Sequence, residues 1–252
     1  MSDDLDEFFV GYLPTPPRTK RFAIAVTAIA IAIAFVAAVL GVVGSGPTGS
    51  GFGPQAQTPA GGVVGLLETH PYGVLWVPSE HGPSAVFLVR QGKFGIAPEL
   101  DAMDGTIVSV SGYAFEREGR RLIELGAAPI AAELAADTIA TLRARATTPV
   151  GTLRITGEIV DEKCWLGRMR PGGGRTHRAC AQLCVAGGIP PVVVGTDADG
   201  IAHAAIVVGA NGETITARVI EYLAEPVAVT GELVRDGDLD YLRVGPGGIE
   251  RL

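Results

Sequence analysis

The chain has few aromatic residues, few charged residues and few cysteines, and each scarcity excludes a class of protein. Aromatic residues make up 6 % of the 252 residues and charged residues 19 %. Three cysteines are too few for a disulfide-dense scaffold. A net charge of −7 argues against binding to nucleic acid, which is therefore not expected as a partner. The chain also lacks the short motifs of serine hydrolases and zinc peptidases, so no catalytic site is predicted.

The longest apolar run extends from residue 22 to residue 43 and contains neither a charge nor an amide. At about 1.5 Å per residue, a helix of this length crosses the roughly 30 Å hydrocarbon core of a bilayer. Arg18, Lys20 and Arg21 precede the run, and the next basic residue is Arg90, so the positive-inside rule predicts a cytoplasmic N-terminus. The run is longer than the apolar region of a cleaved signal peptide, which favours an uncleaved signal anchor.

This interpretation divides the chain into six segments. They are a cytoplasmic head at 1–21, a transmembrane helix at 22–43, a flexible linker at 44–62, a first periplasmic β domain at 63–130, a connector at 131–148 and a second periplasmic β domain at 149–252. The linker is predicted because Gly, Pro, Ser, Thr, Gln and Ala bury too little apolar surface to offset the chain entropy. The alanine-rich connector is predicted to contain a short helix. The predicted location is a bacterial inner membrane.

A repeated strand pattern leads to the fold prediction. Residues 107–119 and residues 226–237 both place alternating apolar residues before a glycine, then an arginine and a turn glycine. Another apolar strand follows each of them, which predicts a β-hairpin in each half. Together with the many glycines, this pattern predicts a mainly β protein with two small tandem OB-like barrels, the second carrying an inserted short helix. A two-sheet sandwich is the alternative, because periodicity alone does not separate the two folds.

All three cysteines lie in one segment, together with a histidine. The candidate metal or redox residues are Cys164, His177, Cys180 and Cys184. A helix over residues 176–185 places the last three along one face, while Cys164 arrives from the preceding strand. Since Cys184 lies about two helical turns from His177, a single ion is expected to use Cys164 and Cys180 with only one of those two.

Three interpretations of this cluster remain open from the sequence. In an oxidising compartment, Cys164 pairs with Cys180 or Cys184, which stabilises the domain by roughly 3 kcal/mol and leaves one thiol free. In the second interpretation, the thiolates and the imidazole bind a zinc, copper or iron ion. In the third, one thiol is redox-active, because neighbouring cations and a helix N-terminus lower thiol pKa values.

The cysteine segment is basic although the protein is acidic. Residues 164–196 contain neither Asp nor Glu. Four arginines in this segment are the candidate anion-binding or partner-binding residues: Arg168, Arg170, Arg175 and Arg178. The loop at 171–174, with the sequence Pro-Gly-Gly-Gly, adds backbone N–H groups that favour an anion. A solvated basic surface facing an acidic partner or anionic lipid headgroups is the alternative.

The cysteine segment resembles a family of uncharacterised bacterial exported or membrane-anchored proteins. The resemblance lies in the patterns G-x-I-V-D-x-K-C, G-x-M-x-P-G, H-x-x-C-A-x-x-C and G-G-I-P-P, which begin at Gly157, Gly167, His177 and Gly187. It covers about 35 of the 252 residues. It implies an inner-membrane setting and a single Cys/His constellation, and it implies no substrate.

The sequence therefore predicts an accessory subunit of a membrane respiratory or redox complex, with the inner membrane and a membrane-protein complex as its partners. The tether, the exported Cys/His segment and the lack of a catalytic motif favour this role. The alternative is a stand-alone periplasmic metal-binding or thiol-redox protein.

Overall fold

The structure is a computed structural model that describes residues 15–44 and 56–252, apart from the side chains of 41–44. The predictions for the head at 1–14 and for the linker at 45–55 lie outside the described residues. The chain divides into two compact units, Met1–Thr48 and Gly49–Leu252.

The first unit contains one described helix, α1 (Pro17–Gly44). Alanine and aliphatic residues fill it, and its single proline stands at the first position, where no backbone N–H is needed. Its large apolar side chains are exposed, with Phe22 at 71 % and Phe35 at 70 %. By length and composition, the stretch Pro17–Leu40 suffices to cross a membrane, with a mean hydropathy of 2.8. The predicted apolar helix is present and begins at Pro17 instead of residue 22.

The second unit is mainly β, as predicted, and its described residues form fourteen strands and three short α-helices, besides a 3₁₀ helix at Pro98–Met103. The strands are β1 (Ala56–Gln57), β2 (Val63–Glu68), β3 (Val74–Ser79), β4 (Gly82–Val89), β5 (Ile107–Val110), β6 (Gly112–Arg117), β7 (Arg120–Leu125), β8 (Ile130–Ala131), β9 (Thr147–Asp161), β10 (Pro191–Thr196), β11 (Ala202–Gly209), β12 (Pro226–Asp236), β13 (Leu239–Val244) and β14 (Ile249–Arg251). The helices are α2 (Ala136–Arg143) in the predicted connector, α3 (Arg178–Ala186) and α4 (Thr216–Val219).

The first sheet has the strand order β1-β6-β7-β4-β3-β2-β5-β8. Strands β4 and β7 are parallel, and the other neighbours are antiparallel. Only Ser111 separates β5 from β6, so one bent stretch of chain pairs with β2 at one end and with β7 at the other. The sheet therefore curls. The predicted hairpin is β6–β7, and Glu118 and Gly119 at its tip both have positive φ, which is typical of a type I′ turn.

The second sheet has the order β13-β11-β10-β9-β12-β14, and β12 also pairs with β13. Five strands, β9 to β13, therefore form a closed ring of hydrogen-bonded pairs. The second predicted hairpin is β12–β13, with Gly237 at its tip. The assignment of the two sheets as tandem OB-like barrels stays a prediction at this point.

The two sheets share a hydrophobic core. Trp76 and Phe87 of the first sheet belong to the same buried cluster as Val160, Val192 and Ile206 of the second. Each sheet also has a smaller interior core of its own. The predicted domains at 63–130 and 149–252 thus lie in one compact unit, and the cysteine segment lies against the boundary between the sheets.

Two segments differ from the sequence prediction. Ala56–Gln57, inside the predicted flexible linker, form β1 and pair with Tyr113 and Ala114. Composition does not reveal this pairing, because backbone groups of the sheet edge make it. Helix α3 begins at Arg178, since residues Arg175–His177 form a 3₁₀ turn, and no side chain caps the helix.

Candidate metal and thiol centre

Three consecutive ionisable residues at the end of β9 are completely buried, which is costly unless each has a hydrogen-bonding partner or a partner of opposite charge. Each has one, and the pairs are Asp161 Oδ2 with His177 Nε2 at 2.8 Å, Glu162 Oε1 with Arg120 Nε at 2.9 Å, and Lys163 Nζ with Glu124 Oε2 at 2.6 Å. Arg120 and Glu124 come from the first sheet. This stretch of chain therefore joins the two sheets and is fixed in place before the first cysteine.

Cys164 opens an irregular turn that extends to Arg168. Gly167 has φ of 122° in this turn, a backbone conformation that side chains other than glycine's rarely permit. The backbone N–H of Cys164 donates to Asp161 Oδ1 at 2.9 Å. The carbonyl of Trp165 accepts from Arg117, whose guanidinium lies 4.6 Å from the indole ring. These contacts hold the Cys164 side chain inward.

Helix α3 supplies Cys180 and Cys184, one turn apart on the same face. The three cysteine Sγ atoms all lie within 4.8 Å of one another, and those of Cys164 and Cys180 are 3.9 Å apart. Cys164 and Cys184 are buried, whereas Cys180 is half-buried. All three are free thiols, so no disulfide is formed among them. We call Cys164, Cys180 and Cys184 the three-cysteine cluster.

A lysine from the loop that follows β4 reaches this cluster. Lys93 Nζ donates to Cys180 Sγ at 2.6 Å. Its loop, residues 90–95, is held by Lys163 Nζ, which donates to the carbonyls of Arg90 and Gly92 at 2.8 Å each. Sequence reasoning missed Lys93 because it lies 87 residues before Cys180, and no local pattern marks it.

Hydrogen bonding distributes charge unequally over the cluster. The hydrogen bond to Cys184, together with burial, raises the pKa of Cys164. The same hydrogen bond lowers the pKa of Cys184. The hydrogen bond to Cys180 raises the pKa of Lys93, so its ammonium form is favoured beside the sulfur atoms. These contacts therefore favour the loss of a proton from Cys184 before Cys164.

The cluster lines the base of a cleft of about 330 Å³. The lining residues are Gly92, Lys93, Lys163, Cys164, Arg168, Met169, Cys180 and Cys184. Met169 is 44 % exposed, and its Sδ lies 3.3 Å from Cys180 Sγ. Thiolates at about 2.3 Å from a tetrahedral ion lie about 3.8 Å from each other, which is close to the observed Cys164–Cys180 separation. The cleft can therefore accept one metal ion with little rearrangement of these two sulfur atoms.

His177, the fourth predicted residue, does not join the three sulfur atoms. Its Nε2 faces Asp161, and the pair is buried next to Cys164 as a second candidate group. The sequence predicted His177 on the same helix face as the cysteines. The structure instead places it in the 3₁₀ turn before α3, where its side chain contacts Asp161. The sequence allowed Cys164 and Cys180 together with either His177 or Cys184. The structure brings together Cys164, Cys180 and Cys184.

The four predicted anion-binding arginines occupy different environments. Arg168 Nε lies 3.2 Å from Glu124, and Arg178 pairs with Glu225. Arg170 and Arg175 are exposed. The glycine loop that follows Arg170 already binds a carboxylate of the chain itself, because the Gly174 N–H donates to Glu158 Oε2 at 2.8 Å. These carboxylates come from outside residues 164–196, which is why the segment reads as uniformly basic.

No family model, curated protein or solved structure matches this chain. No likeness to a known protein therefore assigns a role to the cleft. The candidate site is defined by its own geometry: three converging thiols, a thioether at the rim and cationic side chains around them.

Replacing Gly187 by alanine is expected to displace the loop at 90–95. A Cβ at this position would lie 1.9 Å from the Lys93 carbonyl oxygen, and Gly187 O also accepts from the Gly95 N–H at 2.9 Å. Amide hydrogen exchange of residues 90–95 should therefore accelerate in the variant. Gly245→Ala is the matched control, since a Cβ there meets nothing within 4 Å. Unchanged exchange in Gly187→Ala would show that the loop is held independently of α3.

Proposed function

We propose that this chain is a membrane-anchored protein whose β unit binds a soft metal ion at the three-cysteine cluster. The convergence of three thiol sulfur atoms within 4.8 Å of one another at the base of a cleft supports the proposal. Zinc, copper and iron ions all accept thiolate ligands. The half-buried Cys180 gives an ion a way in, and the buried Cys164 and Cys184 shield it from water once it is bound.

The charges around the cluster suit such an ion. Two or three thiolates around a metal leave a net negative charge, which is costly to bury without cations nearby. Lys93, Lys163 and Arg168 line the same cleft, and because Lys163 and Arg168 share the single carboxylate of Glu124, positive charge remains in excess there. Asp161, which is hydrogen-bonded to His177, accepts a hydrogen bond from the backbone N–H of Cys164 and so fixes the position of this cysteine. Supporting contacts of this kind orient metal ligands.

The proposed setting is a bacterial inner membrane, with α1 as a signal anchor and the β unit in the periplasm. The apolar length of α1 supports a membrane span. We also propose that the two sheets are OB-like barrels in tandem. In the first sheet, β2, β3 and β4 form a meander, β7 is parallel to β4 and forms a hairpin with β6, and β5 pairs with β2. In the second sheet, β9, β10 and β11 form a meander, β13 is parallel to β11 and forms a hairpin with β12, and β12 pairs with β9.

A second proposal is that the chain serves as an accessory subunit of a membrane respiratory or redox complex. Large apolar side chains are exposed on the elements that build the cleft, namely Phe94, Met169 and Leu183. These side chains would pack against such a partner, which would remove their apolar surface from water. The tagged full-length chain, solubilised in mild detergent, should co-purify with defined membrane proteins, and Leu183→Ser should lower their recovery. Recovery of the intact chain alone would count against this role.

Metal titration of the full-length chain in detergent tests the metal proposal. We expect saturable binding of one ion per chain under reducing conditions, measured by elemental analysis after gel filtration. A sample whose three thiols have been alkylated beforehand is the control and should retain none. Absence of retained zinc, copper and iron in the untreated chain would contradict the proposal.

A further inference from the structure

The ligand chemistry at the rim of the cleft narrows the choice of metal. The inference rests on the proposed metal-binding function. The side chain of Met169 is exposed, although its sulfur atom lies only 3.3 Å from Cys180 Sγ. An exposed methionine contributes little to the core, so its position next to a thiol calls for another explanation. A thioether is a ligand for Cu(I), whereas zinc in proteins is held by thiolate, imidazole and carboxylate groups.

The side chains that zinc would prefer next to the thiolates are already paired with each other. His177 Nε2 and Asp161 Oδ2 are 2.8 Å apart, and both side chains are almost completely buried. Recruiting either of them would leave its partner buried without a hydrogen bond. The donors that remain in the cleft are sulfur atoms: three thiols and one thioether. Thiolates alone bind both zinc and Cu(I), so the thioether, as the fourth donor in the cleft, is the feature that favours Cu(I).

Burial increases stepwise along the four sulfur-bearing residues. Met169 is exposed, Cys180 is half-buried, and Cys164 and Cys184 are buried. An ion entering the cleft therefore meets the thioether first, then Cys180 and finally the two buried thiols. Lys93, Lys163 and Arg168 line the same cleft, and Lys163 and Arg168 share one carboxylate, Glu124, so positive charge remains in excess beside the thiolates. An ion of lower charge suits a cleft with this excess of positive charge.

We propose that the cleft selects Cu(I), with Cys164, Cys180 and Cys184 as its thiolate ligands and Met169 as the thioether that receives the ion at the entrance. The ion is bound and released as Cu(I), so no electron transfer is involved. The thiols that lose protons on binding pass them to solvent, as metal binding to cysteine generally requires.

The test is a pair of competition titrations on the full-length chain in detergent, kept anaerobic and reduced. Cu(I) is partitioned against a chromogenic Cu(I) chelator, and Zn²⁺ is partitioned against a zinc chelator. Met169→Leu removes the sulfur atom and keeps the apolar bulk. Met103→Leu is the matched control, because Met103 packs against a different core cluster of the first sheet. Circular dichroism of both variants verifies that they are folded.

We expect Met169→Leu to weaken Cu(I) binding by about tenfold and to change Zn²⁺ binding by less than about twofold, with Met103→Leu altering neither. Equal effects of Met169→Leu on both metals, or none on Cu(I), would overturn the inference and leave a metal site without copper selectivity. Failure of the unaltered chain to retain either metal would instead overturn the proposed function itself.

Discussion

Replacing Arg120 by methionine is expected to lower the free energy of unfolding of the β unit by about 3–5 kcal/mol. Arg120 donates to both carboxylate oxygens of Glu162, at 2.9 and 3.2 Å, and to the carbonyl of Ala204. The Glu162 side chain is completely buried. Burial raises the pKa of Glu162, and the charge of Arg120 opposes this shift. Without the guanidinium, the carboxylate stays buried as an unpaired charge or takes up a proton.

Denaturant unfolding of the full-length chain, followed by tryptophan fluorescence, measures this loss. Trp165 lies near Arg120 and reports on the boundary between the sheets. Burial already raises the pKa of Glu162 in the wild type, and loss of Arg120 raises this folded pKa further. The loss in free energy of unfolding should therefore be smallest below the folded pKa of the wild type and should grow as the pH rises toward the folded pKa of the variant.

The matched control for this prediction is Arg154→Met. Arg154 pairs with Glu250 at 2.9 Å, but both side chains are at least half exposed. Exposed pairs contribute about 1 kcal/mol or less, so this variant should stay within that range. Equal losses for the two variants would mean that the pair formed by Arg120 and Glu162 does not hold the sheets together.

Replacing Cys164 by serine is expected to weaken metal binding by at least about 100-fold. Cys164 is 3 % exposed, and it belongs to both candidate groups of ligand atoms. A hydroxyl group in its place is a poor ligand for a soft ion and remains protonated at neutral pH. Competition titration with a chelator of known affinity measures the change.

Two further variants make this result decisive. Leu183→Ser introduces the same side chain on α3 at a position that is 60 % exposed, and metal affinity should remain unchanged. Cys180→Ser acts at the half-buried member of the cluster, where a loss of folding is less of a concern, and should reproduce the weakened binding. Wild-type affinity in both cysteine variants would contradict a role of the cluster in metal binding.

Local sequence patterns predicted much of the architecture. The apolar run predicted α1, and the alternating residues with turn glycines predicted the hairpins β6–β7 and β12–β13. These features depend on neighbouring residues, which a sequence displays directly. The shared core between the sheets was not predicted, because Trp76 and Ile206 have the same apolar character as residues inside either sheet.

The candidate site was predicted only in part, because several of its contacts join residues that are far apart in the sequence. Cys180 and Cys184 lie one helical turn apart, so their common face follows from the helix period. The contact of Lys93 with Cys180 and the pairing of Arg120 with Glu162 join distant parts of the chain. His177 was placed with the cysteines because the helix was expected to begin at Thr176 instead of Arg178.

The most direct measurement is an alkylation footprint of the full-length chain with and without one equivalent of Cu(I), read residue by residue by mass spectrometry. If the cluster holds the ion, the half-buried Cys180 should be protected when Cu(I) is added, and a chelator should restore its reactivity, while the buried Cys164 and Cys184 should react slowly in both samples. Continued alkylation of Cys180 at its metal-free rate would contradict a shared metal centre.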